Sequence, residues 1–116
     1  MRLKRQIIVV VLAFGLSAFA QMITDSLGAK FMREMDASMK RMDHDMIVAP
    51  MTGNVDRDFA AMMTPHHQGA IDMAKGELMY GKDPVMRRLA EEIIVDQQSE
   101  IDVMNLWLKK HAEAGK

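Results

Sequence analysis

The stretch Met62-Met63-Thr64-Pro65-His66-His67-Gln68-Gly69-Ala70-Ile71-Asp72-Met73 decides how the 116-residue chain is read. Met62 and His66 are four residues apart, and so are Met63 and His67. On a helix such pairs lie one turn apart on one face, with Cβ atoms about 5–6 Å from each other. A thioether and an imidazole from each pair can therefore converge on one ion. Met73 follows His66 by seven residues, two turns along the same face. Thioether plus imidazole favours Cu(I), and the similar Ag(I), over hard cations. The competing reading makes the methionines apolar core residues. Two adjacent imidazoles weigh against it, because they subtend about 100° on a helix and cannot both sit at the centre of a narrow apolar face. Pro65 lies well inside the helical pattern, where its ring removes a backbone bond and clashes one turn back. The expectation is a kink, or a new helix starting there.

Outward from this stretch, three helical segments are expected. They run from about Thr24 to Ile47, Asn54 to Tyr80 and Pro84 to Ala112. The breaks, Ala49-Pro50-Met51-Thr52-Gly53-Asn54 and Gly81-Lys82-Asp83-Pro84, carry turn chemistry. Asp83 suits an N-cap and Pro84 the first helical position. The third segment carries Met86, Leu89, Ala90, Ile93, Ile101, Met104 and Leu108 on one side, interrupted by Gln97 and edged by Glu100. No strand-like alternation appears. The fold class is all-α, a bundle of three main helices after an N-terminal signal segment.

The first helix repeats methionine at 32, 35, 39, 42 and 46, a spacing of three and four that defines a heptad stripe. Methionine packs flexibly and specifies a core weakly, so the stripe reads either as a plastic packing seam or as a row of sulfur ligands. The ligand reading is strongest at Met42-Asp43-His44-Asp45-Met46, where an imidazole sits between two thioethers. Asp43 and Asp45 are placed to orient that ring or to remain solvated.

Composition bounds the chemistry. Fourteen methionines and no cysteine exclude a disulfide framework, a cysteine zinc site and a thiol nucleophile. Arg2, Lys4 and Arg5 precede the uncharged segment 6–19, and Ala18-Phe19-Ala20 is a small-x-small pattern. Residues 1–20 read as a secretory signal peptide. The alternative is an uncleaved membrane anchor, although 14 apolar residues make a helix of about 21 Å against a hydrocarbon core of about 30 Å. The chain from residue 21 carries twelve basic and sixteen acidic side chains. That balance disfavours nucleic acid as a partner. The expected location is periplasmic or secreted, in a bacterial envelope. No enzyme motif appears: no G-x-S-x-G, no glycine-rich phosphate loop, no H-E-x-x-H, and no Glu-x-x-His of the kind a di-iron bundle needs.

The run Met63-Thr-Pro-His66-His67-Gln-Gly-Ala-Ile-Asp-Met73, with the later Leu89-Ala90, Ile93, Gln97, Glu100, Met104 and Trp107-Leu108, resembles the bacterial domain of unknown function 305. The resemblance covers about Asp56 to Lys109, a core helical hairpin over 54–113, and leaves the Met-rich segment 21–50 as a flank. It implies a ferritin-like antiparallel helical bundle in the envelope. It also implies copper or silver binding by Met63, His66, His67 and Met73 and a role in metal tolerance. Residue chemistry adds Met62, Met42, His44 and Met46. The expected function is sequestration or handover of Cu(I), with no catalysis. Expected partners are the metal ion and other copper-handling envelope proteins, with a homodimer left open because a single copy provides three helices rather than four. The alternative of a different class is an envelope chaperone or adaptor whose Met-rich helix forms a groove for other chains.

Overall fold

The computed structural model describes Phe19 and residues 26–112. Residues 1–20, the expected signal segment, lie outside this range apart from Phe19. The described residues form three helices: α1 (Leu27–Ile47), α2 (Val55–Tyr80) and α3 (Pro84–Ala112). The all-α expectation therefore holds.

Each helix begins where a side chain can satisfy its orphan backbone N–H groups. Ser26 Oγ accepts from Ala29 N at 3.1 Å. Asn54 Oδ1 accepts from Arg57 N at 3.0 Å. Asp83 Oδ1 accepts from Val85 N at 2.9 Å and Met86 N at 3.0 Å, with Pro84 in the first helical position, as the sequence predicts. Lys109, Lys110 and His111 occupy the last turn of α3, where the helix dipole favours positive charge. Arg87 closes the α2–α3 hairpin by donating to the Leu78 carbonyl at 2.7 Å and the Gly81 carbonyl at 3.0 Å.

The α1–α2 loop is tied by one carboxylate. Asp58 accepts from Thr52 N (2.7 Å), Thr52 Oγ1 (2.9 Å) and Gly53 N (2.9 Å), while Gly53 takes a φ of 85° that L side chains rarely adopt. The Thr52 backbone bond, more than any other contact, holds the Asp58 carboxyl below its ordinary value of 3.8. A depressed carboxyl contributes stability above its unfolded pKa and loses it as pH falls through the folded one. Asp58→Asn is therefore expected to melt below the parent at neutral pH. The gap should close as pH drops from about 3.8 downward. Thermal melts of both proteins from pH 7 to pH 2 measure it, and a constant gap would separate the loop bonds from the carboxylate's charge.

Of the two outcomes expected at Pro65, a new helix does not start there. α2 runs unbroken through Pro65. One backbone bond is lost, but the Thr64 hydroxyl donates to the Ala60 carbonyl at 2.9 Å, at the turn the ring disturbs. Packing of α2 against helices on two sides holds the rest of the turn in register.

α2 is the middle helix. α1 packs on one side of it and α3 on the other, and among the described residues α1 and α3 do not pack on each other. Both neighbours run antiparallel to α2. Met35 lies against Gly76 and Met42 against Gly69. Two methionines seven residues apart thus seat on two glycines seven residues apart, which lets α1 approach closely. Part of the methionine stripe is therefore packing. Met35 is buried and Met42 half-buried, whereas Met32 (61% exposed) and Met39 (42%) face outward. The core is thin: Met35, Ala60, Ile71, Ala74, Ala90 and Ile101 are its buried apolar residues.

Candidate metal centre

The eight residues expected to bind metal do not form one cluster. His66 and His67 take different directions, as their 100° separation requires. His67 is buried and turned to α3. His66 is exposed on the outer side of α2, with ring centroids 6.0 Å apart and the rings at 60°. Met63, one turn before His67, is half-buried, and Met62, one turn before His66, is exposed.

On the α1 side, the Met42 thioether sits at Gly69, where a Cβ would come within 2.6 Å of its sulfur. Gly69 is three residues beyond His66, so Met42 lies in the seam nearest His66 rather than nearest His67. Antiparallel register carries Met46 one turn further, towards Pro65. Met73 lines a different part of the molecule, a groove of about 320 Å³ shared with Met35, Met86 and Phe31. Seven residues of helix separate it from His66 by roughly 10 Å along the axis, so the two do not meet within one helix. His44 lies on the solvent side of α1. Its side chain is 71% exposed and its Nδ1 meets Asp45 Oδ1 at 2.9 Å. Two residues of helix turn it roughly 200° away from Met42. Asp45 thus takes the orienting position foreseen for it, on a ring that faces water.

The best-formed arrangement is at His67. Its Nε2 lies 2.5 Å from Glu100 Oε2 of α3. Its Nδ1 is sealed from water and has no hydrogen-bond partner. Glu100 is 60% exposed at its side chain. The contact engages Nε2; where Nε2 of a neutral ring donates to the carboxylate, the lone pair falls on Nδ1. A buried polar atom without a partner costs about 1–3 kcal/mol, which hydrophobic packing does not return. Next to the ring is a cavity of about 330 Å³ lined by Phe59, Ser99, Glu100, Val103 and Met104. Among the described residues no three histidine, aspartate or glutamate side chains gather as a metal-binding group. A metal at His67 would therefore draw on thioethers.

Glu100 and Met104 are the residues beside His67 that sequence reasoning did not place at the candidate site. Glu100 was visible as a polar residue at the edge of the α3 stripe and as part of the spacing that carries the family resemblance. The signal that finds it is the antiparallel packing of α3 on α2 from the 81–83 turn, which brings the Glu100 region of α3 beside His67.

The fold and these side chains define a class: a three-helix all-α protein whose middle helix carries two Met–His turns, one turned to α3 and one exposed. The chain belongs to the family described as a domain of unknown function, DUF305, whose model matches residues 17–108. The match takes in α1, which the sequence resemblance left as a flank. The chain is also similar to an uncharacterized protein of Acanthamoeba polyphaga mimivirus, 44% identical over 50 residues, which cover 43% of this chain and 33% of that protein. The match thus spans about a third of the viral protein's length.

Proposed function

We propose that this protein binds Cu(I), or Ag(I), through the Met–His turns of α2 and serves to sequester or hand over the ion outside the cytoplasm, contributing to metal tolerance. The observation that carries this reading is the buried His67 Nδ1, which has no hydrogen-bond partner, on a ring whose other nitrogen is held by a carboxylate. Carboxylate–histidine pairs of this kind orient imidazoles for metal. The half-buried Met63 one turn away supplies a soft donor that needs no deprotonation. The N-terminal basic-then-apolar segment, read as a signal peptide, supports an exported location. No bond-making chemistry is assigned.

An anaerobic titration with a Cu(I) chelator of matched affinity tests it. The His66→Ala/His67→Ala double variant is expected to bind at least ~10-fold more weakly, about 1.4 kcal/mol. Unchanged affinity removes both imidazoles from the site. Binding to the native state also stabilises it by about 2.7 kcal/mol at a hundredfold excess over Kd, so Ag(I) should raise the melting temperature of the parent and not of the double variant.

One observation favours a second reading. The 320 Å³ groove lined by Met35, Met73 and Met86 together with Leu89 and Ile93 is apolar and open, the surface a chaperone or adaptor offers to other chains. Suppression of client aggregation by the apo protein, with no effect of Cu(I) or Ag(I) on melting, selects that reading.

A further inference from the structure

We infer that the metal site at His67 is interhelical: α3 supplies Met104 as a second thioether and Glu100 as the positioning residue that leaves Nδ1, rather than Nε2, as the ligating nitrogen. This rests on the metal-binding reading above and adds which atom binds and which helix completes the site.

Three observations converge. Glu100 Oε2 is 2.5 Å from Nε2, so that nitrogen is already engaged. Nδ1 is buried without a partner. Met104 lines the cavity that His67 also lines and is half-buried, so it is on the right side of the ring, and its thioether has to turn inward to reach the sealed Nδ1. Glu100 and Met104 are themselves four residues apart, one turn of α3. The carboxylate that holds the ring and the sulfur that would complete the site thus come from the same face of one helix. Met63 occupies the equivalent place on α2, one turn before His67. The donor set is two thioethers and one imidazole, which is soft and neutral and favours a monovalent ion. Glu100 does not touch the ion. It fixes the tautomer and angle of the ring and makes the nitrogen more basic.

The alternative is that His67–Glu100 is a strut joining α2 to α3 and nothing more. The two readings part on which nitrogen changes. Ag(I), a diamagnetic probe, is added to ¹⁵N-labelled full-length protein, and long-range ¹⁵N–¹H correlations are recorded for His67. The expected result is a large shift of Nδ1, with Nε2 remaining protonated, and movement of the Met63 and Met104 methyl signals. Glu100→Gln is expected to weaken Ag(I) binding by about 10- to 100-fold, the range for loss of an orienting partner. Met104→Leu, close in volume and tolerated in most cores, should weaken it while melting stays near the parent. If silver binds but shifts Nε2, or if both variants bind as the parent does, the interhelical site is wrong while metal binding stands. If no silver binds at all, the metal reading and this inference fall together. Glu100→Gln lowering the melting temperature with affinity untouched identifies the strut.

Discussion

Ile71→Ala is expected to lower stability by about 2–5 kcal/mol, the range for deleting a buried aliphatic side chain and leaving part of its cavity. Ile71 is 2% exposed, the most enclosed large side chain among the described residues, and it sits on the middle helix. The rest of the core is mostly alanine, with Ala60, Ala74 and Ala90 setting the approach of the helices. Small side chains cannot move to refill the space. A domain this size holds about 5–15 kcal/mol in total, and each kcal/mol moves the melting temperature by about 4–8 °C. The melting temperature followed by helical circular dichroism should therefore fall by more than ~10 °C. Leu89, 47% exposed, is the control, and Leu89→Ala should cost much less. Equal losses at the two positions would mean that the core is not centred on Ile71.

The second large effect is a contrast between two glycines of α2. Glycine inside a helix is unfavourable by about 0.5–1 kcal/mol relative to alanine, so Gly→Ala stabilises where space allows. At Gly69 a new Cβ would approach the Met42 sulfur at 2.6 Å, its Cγ at 2.9 Å and its Cβ at 3.0 Å. Cβ is fixed to the α1 backbone, so α1 itself has to move. Overpacking of this kind costs about 1–3 kcal/mol, more than the helix gains. At Gly76 the close atom is the Met35 terminal methyl, and the Phe31 ring atoms stand at 3.6 and 3.7 Å. A methionine end rotates away readily. Gly69→Ala is therefore expected to destabilise by ~1–2 kcal/mol, while Gly76→Ala is neutral or stabilising. Met42→Ala removes the sulfur and Cγ clashes but keeps the Cβ, so it should relieve part of the Gly69→Ala penalty, a coupling that chemical denaturation of the four proteins resolves. Additive effects would show that Met42 does not occupy that notch.

Much of the fold was legible because its punctuation is local. Asn54, Asp83 and Pro84 are helix starts by chemistry that depends only on near neighbours, and the structure uses them so. α1 is described from Leu27, with the Ser26 hydroxyl accepting the Ala29 N–H of its first turn. The continuity of α2 through Pro65 was not legible, since it depends on packing from two sides as well as on the Thr64 hydroxyl. The methionine stripe was legible as a stripe. Its division into seated residues and outward ones was not, because that follows from where Gly69 and Gly76 lie on another helix.

The candidate site divides in the same way. The i,i+4 relation of Met63 with His67 is a property of one helix, and so is the impossibility of both imidazoles sharing one face. That Glu100 answers His67 depends on the register of α3 against α2, which no single-helix pattern contains. His44 shows the converse. Its place between two methionines suggested convergence, yet helix geometry turns it to solvent, where it meets Asp45.

The two outer helices touch α2 and not each other, and this gives the adjacent imidazoles an unusual relation. His66 and His67 are neighbours in the chain, yet one faces water and the other is buried against α3. Any event that shifts the pitch of α2 at this point is felt on both sides at once, as a twist rather than as a relay of contacts. The middle helix thus works as a common shaft, and a change on one flank is geometrically a rotation of the other.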